Sequence, residues 1–555
     1  MSGNQLFGRV AGPGAPPPPP ALPAGISPVE GTGAGLELWA ADGTTLRAHR
    51  DPRTGATVHL WGMPAHPTVA RDAVAAWVGG AVTGGAGGRL AELTGTFVAV
   101  VHEPAVGRVS LVNDVLGIRP LLLHEAGGAV AFGSDAWALH ALGFAGRAVD
   151  MAAVGAWVVF GFNGTDAALF AGLRRAAPGS VATIENGAIR SSPYVTFAAA
   201  DAPGDAERLA AEIHDRVDHA VRAALRGADT VALPLSGGFD SRHLLANARA
   251  VLPADRIRCV HVGYDPHEAA IARAVAAVAG TPLDVVDAAG SPWDLYDDPF
   301  GWTADGFPIT RFGTDVAARR DPGRASLNGF MGDSLVAGSK DRIDGRTEPE
   351  WGDDAAAALI RFHRIVRTDV FGPAAARALD GHARAFADRA VAAGRALGKV
   401  FAWADFYQRQ RFYIANNFLL HLDAAEAQTP FYQAPMLALK LGHAYGPFAP
   451  ALHARLLQRF FPAYGAIPHA AAAGKAKAAR GRVSRFARRT APGLAAALLQ
   501  PGRLRFADRA HCLPRVLAAA AGHAGSEDVV MTLERLRRLE DRLAAAGLAI
   551  DWRSL

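Results

Sequence analysis

Val231-Ala232-Leu233-Pro234-Leu235-Ser236-Gly237-Gly238-Phe239-Asp240-Ser241-Arg242 is the stretch whose reading decides the fold. An apolar run ends in Ser-Gly-Gly, a carboxylate and a second serine follow, and residues 243–250 read as a helix. That order is strand, tight turn, helix start. Two glycines let the backbone turn sharply and approach a ligand, so several N–H groups point at one anion at the positive end of the helix. A phosphate or pyrophosphate suits such a cradle. Asp240 beside it requires a cation between the two negative charges, and Mg²⁺ held by carboxylate and phosphate oxygens meets the requirement. The stretch therefore predicts a nucleotide with its metal. Its bland alternative is a glycine-rich turn that binds nothing.

Downstream, residues 256–264 predict a second strand, 268–279 a helix and 283–286 a third strand. Strand and helix alternating at this pace predict right-handed βαβ units, a parallel sheet with helices on both faces, and a ligand at the carboxyl ends of the strands. Val262 ends the second strand beside the loop. Cys259 in mid-strand reads as a small buried hydrophobe, with His261 packed on the same face. Residues 325–335 repeat the pattern of an apolar strand running into glycines and a carboxylate, here Gly329 and Asp333. Asp333 alone reads equally as a helix cap; taken with Asp240 it reads as a second ligand of the same metal.

Upstream, residues 36–197 read as short strands between turn signals, an α+β domain carrying a sheet sandwich. Asp150 is the expected cap of a helix over 150–160, and Asn186-Gly187 the expected turn of a hairpin. Residues 1–31, with the run Pro16 to Pro20, predict a disordered, flexible arm. Residues 206–226 predict an amphipathic helix leading into the second domain. Residues 341–399 and 406–423 read as helical, the latter aromatic and basic, and 501–555 as a helical C-terminal segment or partner surface.

The chain of 555 residues is too long for a single ordinary core. Half its residues are hydrophobic, 50%, and 20% are charged, which fits a globular protein with a large interior. Two cysteines, Cys259 and Cys512, make neither a disulfide framework nor a metal cluster, and a cytoplasmic home is expected. A net charge of +5 on this length does not argue for nucleic acid, and no apolar run predicts a membrane span.

With these residues read, Ser236-Gly237-Gly238-Phe239-Asp240-Ser241 resembles the pyrophosphate-binding loop of ATP pyrophosphatases, and it lacks the Gly-Lys-Ser/Thr ending of a Walker loop. The front of the chain resembles the glutaminase half of asparagine synthetases. The matching stretches are Gly95-Thr96-Phe97-Val98-Ala99-Val100-Val101, Asn113-Asp114-Val115-Leu116-Gly117-Ile118-Arg119-Pro120-Leu121, Phe132-Gly133-Ser134-Asp135 and Pro178-Gly179. The resemblance implies an N-terminal-nucleophile-like (glutamine amidotransferase type 2-like) sandwich over 32–200 and an ATP-pyrophosphatase domain over 206–500. It also implies ATP and Mg²⁺, with Leu235, Ser236, Gly237, Gly238, Asp240, Ser241, Val262 and Gly329 around the nucleotide and Asp240 and Asp333 on the metal.

Three departures narrow the expected reaction. Family members that hydrolyse glutamine expose an N-terminal cysteine; this sequence reads Met1-Ser2-Gly3, Trp61-Gly62 replaces the family's Asn-Gly, and no glutaminase activity is expected. Phe330 stands where asparagine synthetases carry glutamate and β-lactam synthetases tyrosine, and phenylalanine moves no proton. Gln428 and Gln433 replace an expected arginine and aspartate in the segment after Glu426. Glu426 is the candidate general base or acceptor-binding group, or else a structural carboxylate paired with Arg409 or Arg411. A lysine after Ile467-Pro468 matches the family's lysine at the α-phosphate, and Lys475 and Lys477 both qualify. Together these imply an amide-forming ligase that adenylates a small-molecule or peptide carboxylate and joins it to an amine, in the manner of β-lactam synthetase or lasso peptide cyclase. The alternatives are an asparagine synthetase using ammonia and a non-catalytic nucleotide-binding homologue. A homo-oligomer is possible in any of these readings.

Overall fold

The computed structural model describes residues 4–12, 22, 24–30, 32, 35–263, 265–287, 300–311, 316–320, 326–338, 342–363, 368–422, 425–469, 485–500, 504, 506–523 and 526–552. The front half is a sandwich of two antiparallel sheets. One is made of β1 (Leu6–Ala11), β2 (Ile26–Pro28), β3 (Leu36–Ala41), β8 (Leu122–Ala126), β9 (Ala129–Gly133) and β10 (Arg174–Arg175), in the order β10-β8-β9-β1-β3-β2. The other is made of β4 (Leu46–Arg50), β5 (Thr57–Gly62), β6 (Phe97–Glu103), β7 (Arg108–Asn113), β11 (Ser180–Glu185) and β12 (Ala188–Pro193), in the order β12-β11-β7-β6-β5-β4.

The apolar run of β6 does not alternate with polar residues because both of its faces are covered. Val98 and Val100 enter the core between the sheets, while Phe97, Ala99 and Val101 pack under the helix Val74–Thr83. Asp150 caps the helix Met151–Phe160 through Ala153 N, and Asn186 and Gly187 turn β11 into β12 with φ of 50° and 78°.

Two expectations need correction. Residues 1–31 do not form a disordered arm throughout, because Leu6–Ala11 is a strand paired to β3 on one side and β9 on the other. Leu6 and Val10 fill the sandwich core and Phe7 points to the opposite side, so six residues bury two faces within a proline- and glycine-rich segment. The C-terminal helices, in turn, spend their apolar stripe inside the molecule. Val529, Val530, Leu533, Leu536, Leu539 and Leu543 share one core with the helices Arg485–Leu499, Arg509–Ala520 and Met151–Phe160.

The back half carries a parallel sheet in the order β15-β14-β13-β18-β19, formed by β13 (Val231–Pro234), β14 (Ile257–Gly263), β15 (Leu283–Asp287), β18 (Ser326–Leu327) and β19 (Ala427–Gln428). A hairpin of β16 (Phe300–Trp302) and β17 (Pro308–Thr310) stands apart from it. The helix Ala206–Leu225, capped by Asp205, buries Ile213, Val217 and Val221 against the sheet core. The helix after the Ser-Gly-Gly turn spans Phe239–Arg249 and so begins four residues before its expected start, which sets Asp240 in its first turn.

Polar side chains join the halves. The Tyr432 hydroxyl donates to Asp114 at 2.5 Å and accepts from Leu116 N at 2.7 Å. Asp114 also accepts from Phe97 N, Ile118 N and Arg119 N. Burial pushes its carboxyl up, and these donors oppose that shift. Buried Arg175 meets Asp305 at 2.6 Å, and Arg411 meets Asp166 at 2.7 Å.

Candidate active site

Central strand β13 and its neighbours β14 and β18 end around one cavity of about 380 Å³. Leu235, Ser236, Asp240 and Ser241 line it from the turn, Val262 from the end of β14, and Gly329 and Asp333 from the turn after β18. Seven of the residues read from sequence as nucleotide or metal ligands thus share one wall, with Gly237 and Gly238 inside the turn itself. Gly238 is the helix N-cap, and the turn closes on its own serines. Gly238 N donates to Ser236 Oγ and Ser236 N to Ser241 Oγ, both at 3.1 Å. A helix start with two serine hydroxyls at hand is what an anionic ligand needs.

The two carboxylates are brought together by glycine. A Cβ on Gly332 would stand 2.5 Å from Asp240 Cγ, and one on Gly329 3.1 Å from Asp240 Cβ, so only bare backbone lets the second turn close on the first. Between them Met331 takes a left-handed φ of 67°, and Asn328 Oδ1 accepts from Phe330 N at 2.9 Å. Among the described residues no group of three His, Cys, Asp or Glu side chains could hold a metal alone. Two carboxylates opening on a phosphate cradle fit a divalent cation that draws its other oxygens from phosphate and water.

Phe330 forms an apolar wall. It lies flat on Phe418 at 4.7 Å and edge-on to Tyr432 at 5.9 Å. Cys259 and His261 are packed as expected: burial pushes the Cys259 thiol up to about 11, and His261 Nδ1 sits 2.9 Å from Leu235 O at the foot of the turn.

Glu426 is corrected. It does not line the nucleotide cavity and pairs with neither Arg409 nor Arg411. Its carboxylate takes Arg119 Nη2 at 2.7 Å and Asn4 Nδ2 at 3.0 Å, and Asn4 Oδ1 accepts from Trp61 Nε1 at 2.6 Å. The carboxylate therefore holds the sandwich to the sheet domain. Lys475 and Lys477 lie outside the described residues.

Two residues that the sequence reading passed over shape the site. Arg242, wholly buried, donates to Gly237 O and to the carbonyls of Tyr464, Ile467 and Pro468, clasping the segment that leads to Lys475 against the turn. Burial lowers its guanidinium to about 10. His453 Nδ1 stands 3.3 Å from Asp240 Oδ1. Arg242 directly follows the motif, a visible cation without a visible partner; nothing local marks His453.

Residues 82–195 match the glutamine amidotransferase domain model and residues 212–457 the asparagine synthase model. Two antiparallel sheets followed by a parallel-sheet domain with this site define the class. The chain carries a glutamine amidotransferase domain followed by an asparagine synthase domain, the pairing of the asparagine synthetase-like family, and the second domain is of the kind found in ATP-dependent amide-forming ligases. Solved structures similar to it include a glutamine phosphoribosylpyrophosphate amidotransferase from B. subtilis complexed with ADP and GMP. The identity is 12%, the TM-score 0.23, and the match covers 51% of this chain and 60% of that one, under two thirds of its length. An allosteric regulatory enzyme of purine biosynthesis matches at 10% identity and TM-score 0.23, over 51% of this chain and 74% of that chain. No curated protein matches the chain. No helix among the described residues is long and apolar enough to cross a membrane.

Proposed function

We propose that this protein adenylates a carboxylate with ATP, releasing pyrophosphate, and joins the activated acyl group to an amine with loss of AMP, without hydrolysing glutamine. One observation carries the reading: Asp240 and Asp333 face a single cavity with the Ser236-Gly237-Gly238 turn on its wall. In it the turn holds the pyrophosphate portion of the nucleotide and the two aspartates hold Mg²⁺, which supplies positive charge to the phosphate oxygens when bound. Arg242 sets the segment before Lys475 and Lys477 at the turn, and one of these lysines meets the charge that grows as the adenylate forms and breaks. The Phe330–Phe418 wall favours a carboxylate with an apolar body over aspartate. Amidation without glutamine is supported by the thiols, since Cys259 and Cys512 are both buried, and by Asn4, whose amide is committed to Trp61, Leu422 and Glu426.

Pyrophosphate release from ATP, measured with a panel of aryl and peptide carboxylates, tests the reading. Carboxylate-dependent release with AMP as co-product, lost in Asp240→Asn, is expected; release of ADP, or of glutamate from glutamine, contradicts it.

A further inference from the structure

A second cavity, of about 490 Å³, lies where the sandwich, the sheet domain and the last helix meet, and it shares no lining residue with the nucleotide cavity. Its wall carries four guanidinium groups, Arg119, Arg311, Arg319 and Arg542, against one carboxylate, Asp135. That carboxylate is already engaged, capping the helix Ala136–Ala141 through Ala138 N at 2.8 Å.

Two of the arginines are held in fixed positions. Arg119 is 1% exposed and is fixed by its Nη2 on Glu426, so it adds buried positive charge behind the wall. The central carbon of Arg542 lies 4.3 and 4.1 Å from the ring centres of Trp137 and Trp302, which stand edge to face with each other and hold the guanidinium in the corner between them. Among the described residues it makes no hydrogen bond or ion pair. A planar fork held in that way matches the two oxygens of a carboxylate or phosphate. Trp302, Leu419 and Leu420 add apolar surface to the same wall.

We infer that this cavity binds a small organic anion, carrying a carboxylate or phosphate group, by its arginines and an apolar body by Trp302 and its neighbours. One helix separates the site from the nucleotide. Ala415–Leu422 turns Asn416, Leu419 and Leu420 to the anion cavity and Asn417 and Phe418 to the nucleotide cavity, so a ligand in the first presses on the wall of the second.

Calorimetric titration of the full chain with citrate, phthalate and phenyl phosphate, each separately, tests the inference. Saturable binding of at least one is expected, weakened about tenfold or more in Arg542→Gln and in the double variant Arg311→Gln/Arg319→Gln, and unchanged in Asp333→Asn. Binding of the carboxylates alone, or of the phosphate alone, assigns the group recognised. Circular dichroism confirms that each variant is folded, and the double variant keeps the test decisive if removing Arg542 loosens the fold. No saturable heat with any probe, undiminished affinity in the folded arginine variants, or a loss confined to Asp333→Asn overturns the inference.

Discussion

At the scale of single residues, the site depends on how closely the two turns approach. Gly332 leaves no room for a methyl group beside Asp240. Gly332→Ala is expected to cost about 1–3 kcal/mol by overpacking and to weaken nucleotide binding by displacing that carboxylate. Thermal melts with and without ATP check this, and an unchanged pair of melts contradicts the close approach. Arg242→Gln keeps some donors but removes the fork that reaches four carbonyls. Its expected effect is a fall in kcat larger than the rise in nucleotide KM, because it releases Tyr464, Ile467 and Pro468 from the turn while leaving the turn's serines in place. The opposite split would assign Arg242 to nucleotide binding alone.

At the scale of elements, the rare feature is the π-helix Ala404–Ile414, of a type that recurs at functional sites. Gln410 from it donates to Ser334, next to Asp333, at 2.6 Å, while Arg411 reaches Asp166 and Ala176 O of the sandwich. The wide turn sends adjacent side chains to two domains at once. The turns and the strand–helix pace around them were legible in the sequence because they are local: Ser236 to Ser241 specify a tight turn by composition, and Asp150 and Asn186-Gly187 punctuate their own elements. What was not legible depends on distant partners. Arg119 and Glu426 are 307 residues apart, and Arg242 meets Tyr464 across 222. Leu6–Ala11 is a strand only because β3 and β9 flank it, and six residues among prolines carry too little pattern to announce that. The Tyr432 latch is of the same long-range kind. Tyr432→Phe leaves buried Asp114 and Leu116 N each without one partner and is expected to cost about 1–3 kcal/mol in urea unfolding. A midpoint that does not move would show that the latch adds no stability.

At the scale of the whole molecule, buried histidines make the fold sensitive to acid. Burial and Arg409 hold His363 down at about 3, edge-on against Phe160, Phe162 and Phe386, and burial with His453 and His214 lowers His243. The unfolded chain takes up these protons near pH 6.5 and the folded chain does not, so stability is full above that pH and falls as pH drops from there toward 3. His363→Phe keeps the ring contacts and is expected to flatten part of this slope in urea midpoints taken between pH 7 and 5; an unaltered slope places the acid sensitivity elsewhere. The same core that holds His363's aromatic neighbours takes in the C-terminal helices, so the tail packs against both domains.

The claim on which the rest depends is that a nucleotide is cleaved between its α- and β-phosphates where Asp240 and Asp333 meet the Ser-Gly-Gly turn. Its most direct test is the identity of the nucleotide product, resolved chromatographically for the wild type and for folded Asp333→Asn in the presence of Mg-ATP and an accepted carboxylate. AMP and pyrophosphate in equal amounts from the wild type, falling at least a hundredfold in the variant, is the result expected for loss of a metal-binding carboxylate. ADP as product, or AMP formed equally fast by the variant, would contradict it.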